Sequence, residues 1–401
     1  MMRAAPQVAS RVAPRVAIVH EWLQSYAGAE RVLEQLLLCY PAADLFATVD
    51  FVADGERAFL QGRVPKTSFI QRLPLARSHF RHYLGLMPLA VEQFDLSAYD
   101  LVISSNHAVA KGVITGPDTV HVSYVHSPMR YAWDLQHQYL RQSGMERGLT
   151  GAYVRWQLAQ LRKWDVRTAN GVDLFIANSS YVARRIWKCY RRESAIVAPP
   201  VDVARFVPGG ERSGAYLVAS RLVPYKRVDL VVAAFAGMPD RQLVVVGDGP
   251  QHEAIRAAAA GAPNIRLHGA AGHDELVSLM RKARAFVFAA EEDFGIMPVE
   301  AQACGIPVIA FGRGGCRDIV SDGDAAPTGV FFAEQTVASL VDAIHRFEAD
   351  PGRCTALACR QNALRFAPEA FRAGIEAAVG RALRGDFRAQ TENGRLPGRD
   401  D

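Results

Sequence analysis

One pattern, laid down twice, constrains this chain more than any other feature. Short, continuously apolar, β-branched segments alternate with stretches of helical period, once before residue 198 and again after residue 214. In the first half, 15–20 (RVAIVH) precedes a periodic segment at 29–39. Segments 44–51, 101–105, 121–126, 173–178 and 195–198 read as further strands, with helical stretches at 152–163 and 181–189. Strands that are apolar throughout, rather than alternately, predict a parallel sheet covered on both faces. A proline- and glycine-rich seam, APPVDVARFVPGGERSG, then runs from Ala198 to Gly214 and marks a boundary. Beyond it the pattern restarts, with strands expected over 215–219, 242–246, 265–268, 285–289, 308–311 and 330–332 and helices over 228–236 and 252–260. The expected fold class is α/β, with two doubly wound Rossmann-like lobes facing a central cleft. The first domain is expected over 1–198 and the second over 199–365. A terminal helix and tail over 366–401 are expected to pack back on the first lobe. Such sheets bind ligands beyond the carboxyl ends of their strands.

Composition narrows the function classes. Half of the 401 residues are hydrophobic and 22% are charged, which excludes a disordered or collagenous chain. Lys plus Arg exceed Asp plus Glu by 46 − 41 = 5. That excess is too small to imply nucleic acid, and no nucleic-acid recognition module is visible. Six scattered cysteines without a CxxC pair argue against a disulfide scaffold or a cysteine-rich zinc site and predict a reducing, cytoplasmic setting. No apolar run reaches the roughly 20 residues that span a bilayer. Residues 1–14 read as a ragged leader rather than a signal peptide. Ten cations between Arg147 and Arg192 face only Asp165 and Asp173, and a second basic-aromatic stretch runs over 72–87. Both suit an anionic lipid surface, or equally a coat of solvated arginines.

Four features of the second half converge on one kind of ligand. Arg221 and Lys226 follow a strand, five positions apart, and could straddle a diphosphate or simply sit on a solvated loop. Gly247 and Gly249, in VGDGP, permit close backbone approach to a ligand or merely a sharp turn. In Glu292–Glu300 (EDFGIMPVE), an acidic loop leads through Gly295 to a helix that Pro298 is placed to open. Free N–H groups at Gly295, Ile296 and Met297 would make an anion site. Glu300 and Glu292 have natural targets in vicinal hydroxyls, a ribose diol for the first and a sugar ring for the second; an acidic turn favoured by the helix dipole is the plainer reading. Finally, FGRGG at 311–315 suggests a loop lying flat against something, or a flexible connection. In the first half, Gly28 opens the first helix where backbone can approach a ligand, or makes a routine turn. His126, in YVHSPMRYAWD, can donate to a hydroxyl or to developing negative charge, or be a core histidine; Asp134 would orient a neighbour, His107 is a weaker candidate, and His20 reads as an interior histidine.

In order and spacing, ASRLVPYKRVD, VVVGDGP and EEDFGIMPVEAQACGIPVIAF resemble the retaining glycosyltransferases of family 4, which have the GT-B fold. The resemblance covers nearly the whole chain. It implies that Glu292 and Glu300, the E-x7-E pair, contact the sugar and the ribose of a nucleotide-sugar donor. It makes Arg221 and Lys226 the diphosphate clamp, Gly28 the N-terminal glycine loop and His126 the strand-end histidine. Ser220 stands where the family usually has glycine. The implied catalytic set is His126, Arg221, Lys226 and Glu292; the implied donor-binding set adds Gly28, Gly247, Gly295, Ile296, Met297 and Glu300. HSPMRYAWD is similar to bacterial mannosyltransferases of O-antigen and exopolysaccharide assembly, which implies GDP-mannose as donor. A lipid-linked or polysaccharide glycan is then the acceptor, reached from the cytoplasmic face of the inner membrane. The family needs no divalent ion, and Asp322-Gly323-Asp324 reads as a surface turn. A UDP-sugar donor such as UDP-glucose and a non-catalytic nucleotide-sugar-binding scaffold are the alternatives. A dinucleotide oxidoreductase is disfavoured by the missing GxGxxG fingerprint.

Overall fold

The computed structural model describes residues 14–323, 325–350 and 352–387. The leader, Asp324 and the tail beyond 387 lie outside the described residues. Among the described residues the chain divides into two compact units, one of 14–175 with 379–387 and the other of residues from 176 to 378.

Seven strands form the first sheet: β1 Val16–His20, β2 Asp44–Ala47, β3 Lys66–Thr67, β4 Leu101–Asn106, β5 Val120–Val125, β6 Leu174–Ala177 and β7 Ser194–Ile196. Their order is β3-β2-β1-β4-β5-β6-β7, and the unit boundary falls inside β6. The second sheet contains β8 Tyr216–Ala219, β9 Leu243–Val246, β10 Ile265–Gly269, β11 Ala285–Phe288, β12 Val308–Phe311 and β13 Gly329–Phe332, in the order β10-β9-β8-β11-β12-β13. Both sheets are parallel in their register, for example Ile18 opposite Ile103 and Val287 opposite Ile309. The α/β class of two doubly wound parallel sheets read from the strand pattern is therefore the observed one.

The second sheet explains why its strands read as unbroken apolar runs. Leu217, Ala219, Phe286, Phe288, Val308 and Ala310 enter the core on one face. Their neighbours Tyr216, Val218, Ala285, Val287, Ile309 and Phe311 enter the core on the other. With helices on both faces, neither side of the pleat is left for polar residues. The first unit has its own core, built around Ala17, Val19, Phe46, Val102 and Phe80.

Strand order also dictates where ligands can be met. In each sheet the chain winds one way from the first strand and then jumps back past it, so β1/β4 and β8/β11 are the switch points. Loops leaving two such strands part in opposite directions and leave a crevice at the carboxyl edge.

The region between β2 and β4 was the least organised in sequence. It folds as a succession of short turns, over Asp54–Leu60, Phe69–Arg72, Ala76–His79, Phe80–Leu86 and Met87–Glu92, together with the two-residue β3. No single period runs through it, because each turn is only long enough to bury one to three anchors, among them Ile70, Phe80 and Met87.

Candidate functional site

Each switch point carries a cluster of polar groups. In the second unit, β8 leads through Ser220 and Arg221 to a single tight turn, Pro224–Lys226. Arg221 is exposed, whereas Lys226 is mostly buried and forms an ion pair with Glu292, which follows β11. The two side chains retain only 15% exposure each. A cation and an acid that are far apart in sequence thus meet at the β8/β11 crevice.

Glycine makes this meeting possible. A Cβ on Gly247 would lie 1.9 Å from the Ser220 carbonyl oxygen, and one on Gly249 would lie 2.5 Å from that of Leu222. The loop after β9 therefore lies directly on the loop that carries Arg221, fastened by Leu222 N–H to Asp248 O at 2.9 Å. With φ at +130°, Gly247 also occupies a backbone region that side chains avoid. The glycines of FGRGG behave similarly: Gly315 N–H donates to Glu292 O at 2.8 Å, and a Cβ there would meet Phe294 Cα at 2.4 Å. What that loop lies flat against is the acidic segment 292–294.

Asp293, which the sequence left without a role, anchors the same segment. Arg185 donates to its carboxylate at 2.7 Å, both side chains being at least nine-tenths buried. Ser179 Oγ donates to its carbonyl oxygen. Arg185 is accordingly no member of a solvated coat. Asp165 and Asp173 are likewise taken out of any surface charge balance: the first pairs with Lys111, both wholly buried, and the second accepts the His121 N–H at 2.7 Å.

Gly295, with φ at +107°, caps the helix Ile296–Ala303. The helix therefore begins two residues before Pro298, which occupies the third position, still inside the turn whose N–H groups have no helical acceptor. Ile296 and Met297 in that turn are half-buried, and Glu300 on the same helix is 3% exposed. Cys304 ends the helix; burial pushes its thiol up to about 12, so it remains protonated and apolar.

In the first unit, His20, Glu21, Ser105, His107 and His126 gather at the ends of β1, β4 and β5. Glu21 is wholly buried, and its carboxylate accepts backbone N–H groups from His107, Ala108, Val109 and Ala110 at 2.7–3.1 Å. That cradle fixes the turn carrying His107, whose ring meets Trp22 edge-on at 4.5 Å. The only local sequence signal is an acid directly after the fully buried strand VAIVH. Ser105 Oγ lies 2.9 Å from His126 Nε2 and 3.1 Å from His20 Nδ1. Desolvation holds His126 well below the usual imidazole range, and the neighbouring His107 and His20 push the same way. It is therefore a neutral ring at pH 7. Gly28 is the first residue of the helix Gly28–Cys39, with its φ negative, so the position needs no left-handed backbone. Asp134 is exposed. Among the described residues, no group of three or more His, Cys, Asp or Glu side chains is arranged to hold a metal ion.

Comparison with known proteins adds an independent line. Residues 26–205 match the family model for Glycosyltransferase Family 4, and residues 207–365 match that for Glycosyl transferases group 1. The chain is 30% identical over 256 residues to the D-inositol 3-phosphate glycosyltransferase of Streptomyces bingchenggensis, covering 55% of this chain and 56% of that protein. It is 28% identical over 237 residues to the GDP-mannose-dependent monoacylated alpha-(1-6)-phosphatidylinositol monomannoside mannosyltransferase of Corynebacterium glutamicum, covering 52% and 61%. These alignments span little more than half the length of the relatives. Among solved structures, sucrose-phosphate synthase from Thermosynechococcus elongatus shares the fold with a TM-score of 0.69 at 18% identity, over 92% of this chain and all of that one. HepE of Anabaena, in complex with UDP and glucose, does so with a TM-score of 0.63 at 17% identity, over 90% and 99%. With the two family models accounting between them for nearly all of residues 26–365, and with both sheets strung in the GT-B order, the chain belongs to glycosyltransferase family 4.

Proposed function

We propose that this protein transfers mannose from GDP-mannose to a lipid-linked glycan, with retention of anomeric configuration. The observation that carries the reading is the Lys226–Glu292 pair beside the start of the helix Ile296–Ala303. An ammonium, the exposed Arg221 guanidinium and unpaired helix N–H groups form a positive receptor for a diphosphate. When donor binds, its phosphates compete with Glu292 for Lys226, and the released carboxylate becomes an acceptor for sugar hydroxyls. Glu300 receives the ribose diol, and Gly247 keeps the loop beneath Arg221 in place. As the glycosidic bond breaks, negative charge grows on the nucleoside diphosphate, and Arg221 and Lys226 stabilise it. The acceptor hydroxyl approaches from the leaving-group side and passes its proton to the departing phosphate, which retains configuration. His126 serves a sugar hydroxyl, and the backbone at Gly28 approaches the donor.

GDP-mannose is favoured by the GDP-mannose-dependent relatives together with the HSPMRYAWD segment. A UDP-sugar is the second reading, supported by the UDP complexes of HepE. Incubation with each donor and a membrane extract is expected to release GDP, with mannose appearing in lipid. UDP release alone would replace the first reading by the second. Binding without release of either nucleotide would make the protein a scaffold.

The acceptor's lipid suggests a membrane-facing surface on the first unit. Leu149, Tyr153 and Trp156 are 91%, 58% and 56% exposed on the helix Gly148–Thr168, beside Arg155. Gln157 of this helix abuts Gly85, which brings Leu86, Leu89 and the basic 72–82 stretch alongside. Apolar rings among cations suit an anionic interface. The protein is expected to sediment with phosphatidylglycerol vesicles and to leave them as salt rises; equal binding to neutral vesicles would count against this surface. No helix of the described residues is long and apolar enough to cross a membrane.

A further inference from the structure

Three acids in succession, Glu291, Glu292 and Asp293, come shortly after β11, and the middle one meets Lys226. Its two neighbours are held by the helix Ser180–Tyr190, which like them belongs to the second unit. Tyr181 Oη donates to Glu291 Oε1 at 3.1 Å, and Arg185 Nη1 donates to Asp293 Oδ1 at 2.7 Å. Ser179, which caps this helix, accepts the Val182 N–H at 3.1 Å and gives its own proton to the Asp293 carbonyl oxygen. The same helix start also reaches the glycine loop that lies on the acids. Ser180 N–H and Ser180 Oγ donate to the two Asp318 oxygens, each at 2.6 Å. Asp318 belongs to the short helix Cys316–Ile319, which follows FGRGG directly. Gly315 N–H donates to Glu292 O at 2.8 Å, and a Cβ on Gly314 would lie 2.5 Å from that oxygen. One helix start therefore holds both the acidic segment and the loop packed on it.

We propose that the helix Ser180–Tyr190 is a brace that fixes which way Glu292 faces, with Tyr181, Arg185 and Asp318 as positioning residues for its carboxylate. Each residue has only two soft backbone dihedrals. With the residues on both sides tied to the helix, and its own carbonyl oxygen tied to Gly315, Glu292 has little freedom to turn away from the crevice beside Lys226. That matters for a carboxylate that exchanges one partner for another. It leaves Lys226 when the phosphates arrive and then accepts sugar hydroxyls, so its backbone must stay in place throughout. The run of three acids is thereby divided in labour: two are fastenings and one is the working group. The proposal deepens the donor-site reading and rests on it for the effect on transfer, but not for the brace itself.

Hydrogen exchange of the full chain without donor, followed by mass spectrometry, reads the brace through the Gly315 amide that is bonded to Glu292 O. Arg185→Met is expected to speed exchange in the peptide around Gly315 about tenfold, while a peptide over β9 exchanges as in the wild type. Because that variant leaves Asp293 buried and uncompensated, Tyr181→Phe is measured beside it. There the ring stays and only the hydroxyl goes, and exchange is expected to rise about threefold. Arg185→Lys keeps the charge and should return exchange most of the way. Transfer should fall on the order of a hundredfold in Arg185→Met and about threefold in Tyr181→Phe. Made in a Glu292→Gln background, either change should cost almost nothing more, because the brace acts through that carboxylate. Unchanged exchange at Gly315 in both variants overturns the brace. Losses that add in full to that of Glu292→Gln overturn its action through Glu292. Faster exchange combined with full transfer by Glu292→Gln removes only the role given to Glu292 in donor binding and leaves the brace standing.

Discussion

Lys226→Ala is expected to lower the rate of sugar transfer by about a hundredfold to a thousandfold, the usual cost of removing one charged group aimed at developing negative charge. The ammonium has two partners in this account. In the free protein it neutralises Glu292, and with donor bound it faces the diphosphate. Removing it weakens the transition state more than the ground state, because charge on the phosphates rises as the bond to the sugar breaks. The loss should therefore fall mainly on kcat, with a smaller rise in donor KM. The fold should survive, since Lys226 lies in a turn of three residues, none of which is buried in the core. Circular dichroism and steady-state kinetics on the same sample check both points. Lys226→Arg should recover only part of the rate, as a planar fork cannot replace a compact ammonium at a site this closely packed. Near-normal transfer by the alanine variant would remove the clamp from the mechanism.

The second large effect concerns stability. Lys111→Met is expected to destabilise the first unit by about 3–5 kcal/mol, the range for breaking a buried ion pair from one side. Lys111 Nζ reaches Asp165 Oδ1 at 2.7 Å, the Asp165 carbonyl oxygen at 2.7 Å and Thr168 Oγ1 at 2.8 Å. Trp133 Nε1 donates to the other Asp165 oxygen at 2.8 Å. Both charged side chains are wholly buried, so the carboxylate left behind has no water to turn to. Urea unfolding followed by tryptophan fluorescence reads this out, since four of the five tryptophans, Trp22, Trp133, Trp156 and Trp164, lie in the first unit. Lys111→Met combined with Asp165→Leu should recover much of the loss, because removing both charges removes the penalty as well. A single-variant loss below 1 kcal/mol would mean that water reaches the pair. Lys111 follows directly on the turn cradled by Glu21, so loosening it should also disturb His107.

The two sheets were legible because apolar β-branched runs such as VAIVH, LVVV and AFVF have few alternatives to a buried parallel strand. Arg221, Lys226, Glu292 and Gly295 could be singled out as candidates because each falls within seven residues of the carboxyl end of such a strand. Other features were hidden for physical reasons. Glu21 and Asp293 are single acids whose partners, backbone N–H groups at 107–110 and the Arg185 side chain, are remote in sequence. The glycines at 247 and 315 could be read as permitting close approach, but not that the approaching object is a neighbouring loop of the protein. Ser105 hydrogen-bonds with His20 and His126, 85 and 21 positions away, yet resembles any other strand serine. A one-dimensional pattern carries no record of which buried hydroxyl meets which ring.

Determination of the structure with GDP bound tests the central claim most directly. The account predicts phosphate oxygens within hydrogen-bond distance of Arg221, Lys226 and the N–H groups at the start of the helix Ile296–Ala303, with Lys226 drawn away from Glu292. A nucleotide bound elsewhere, with the Lys226–Glu292 pair still closed, would contradict it.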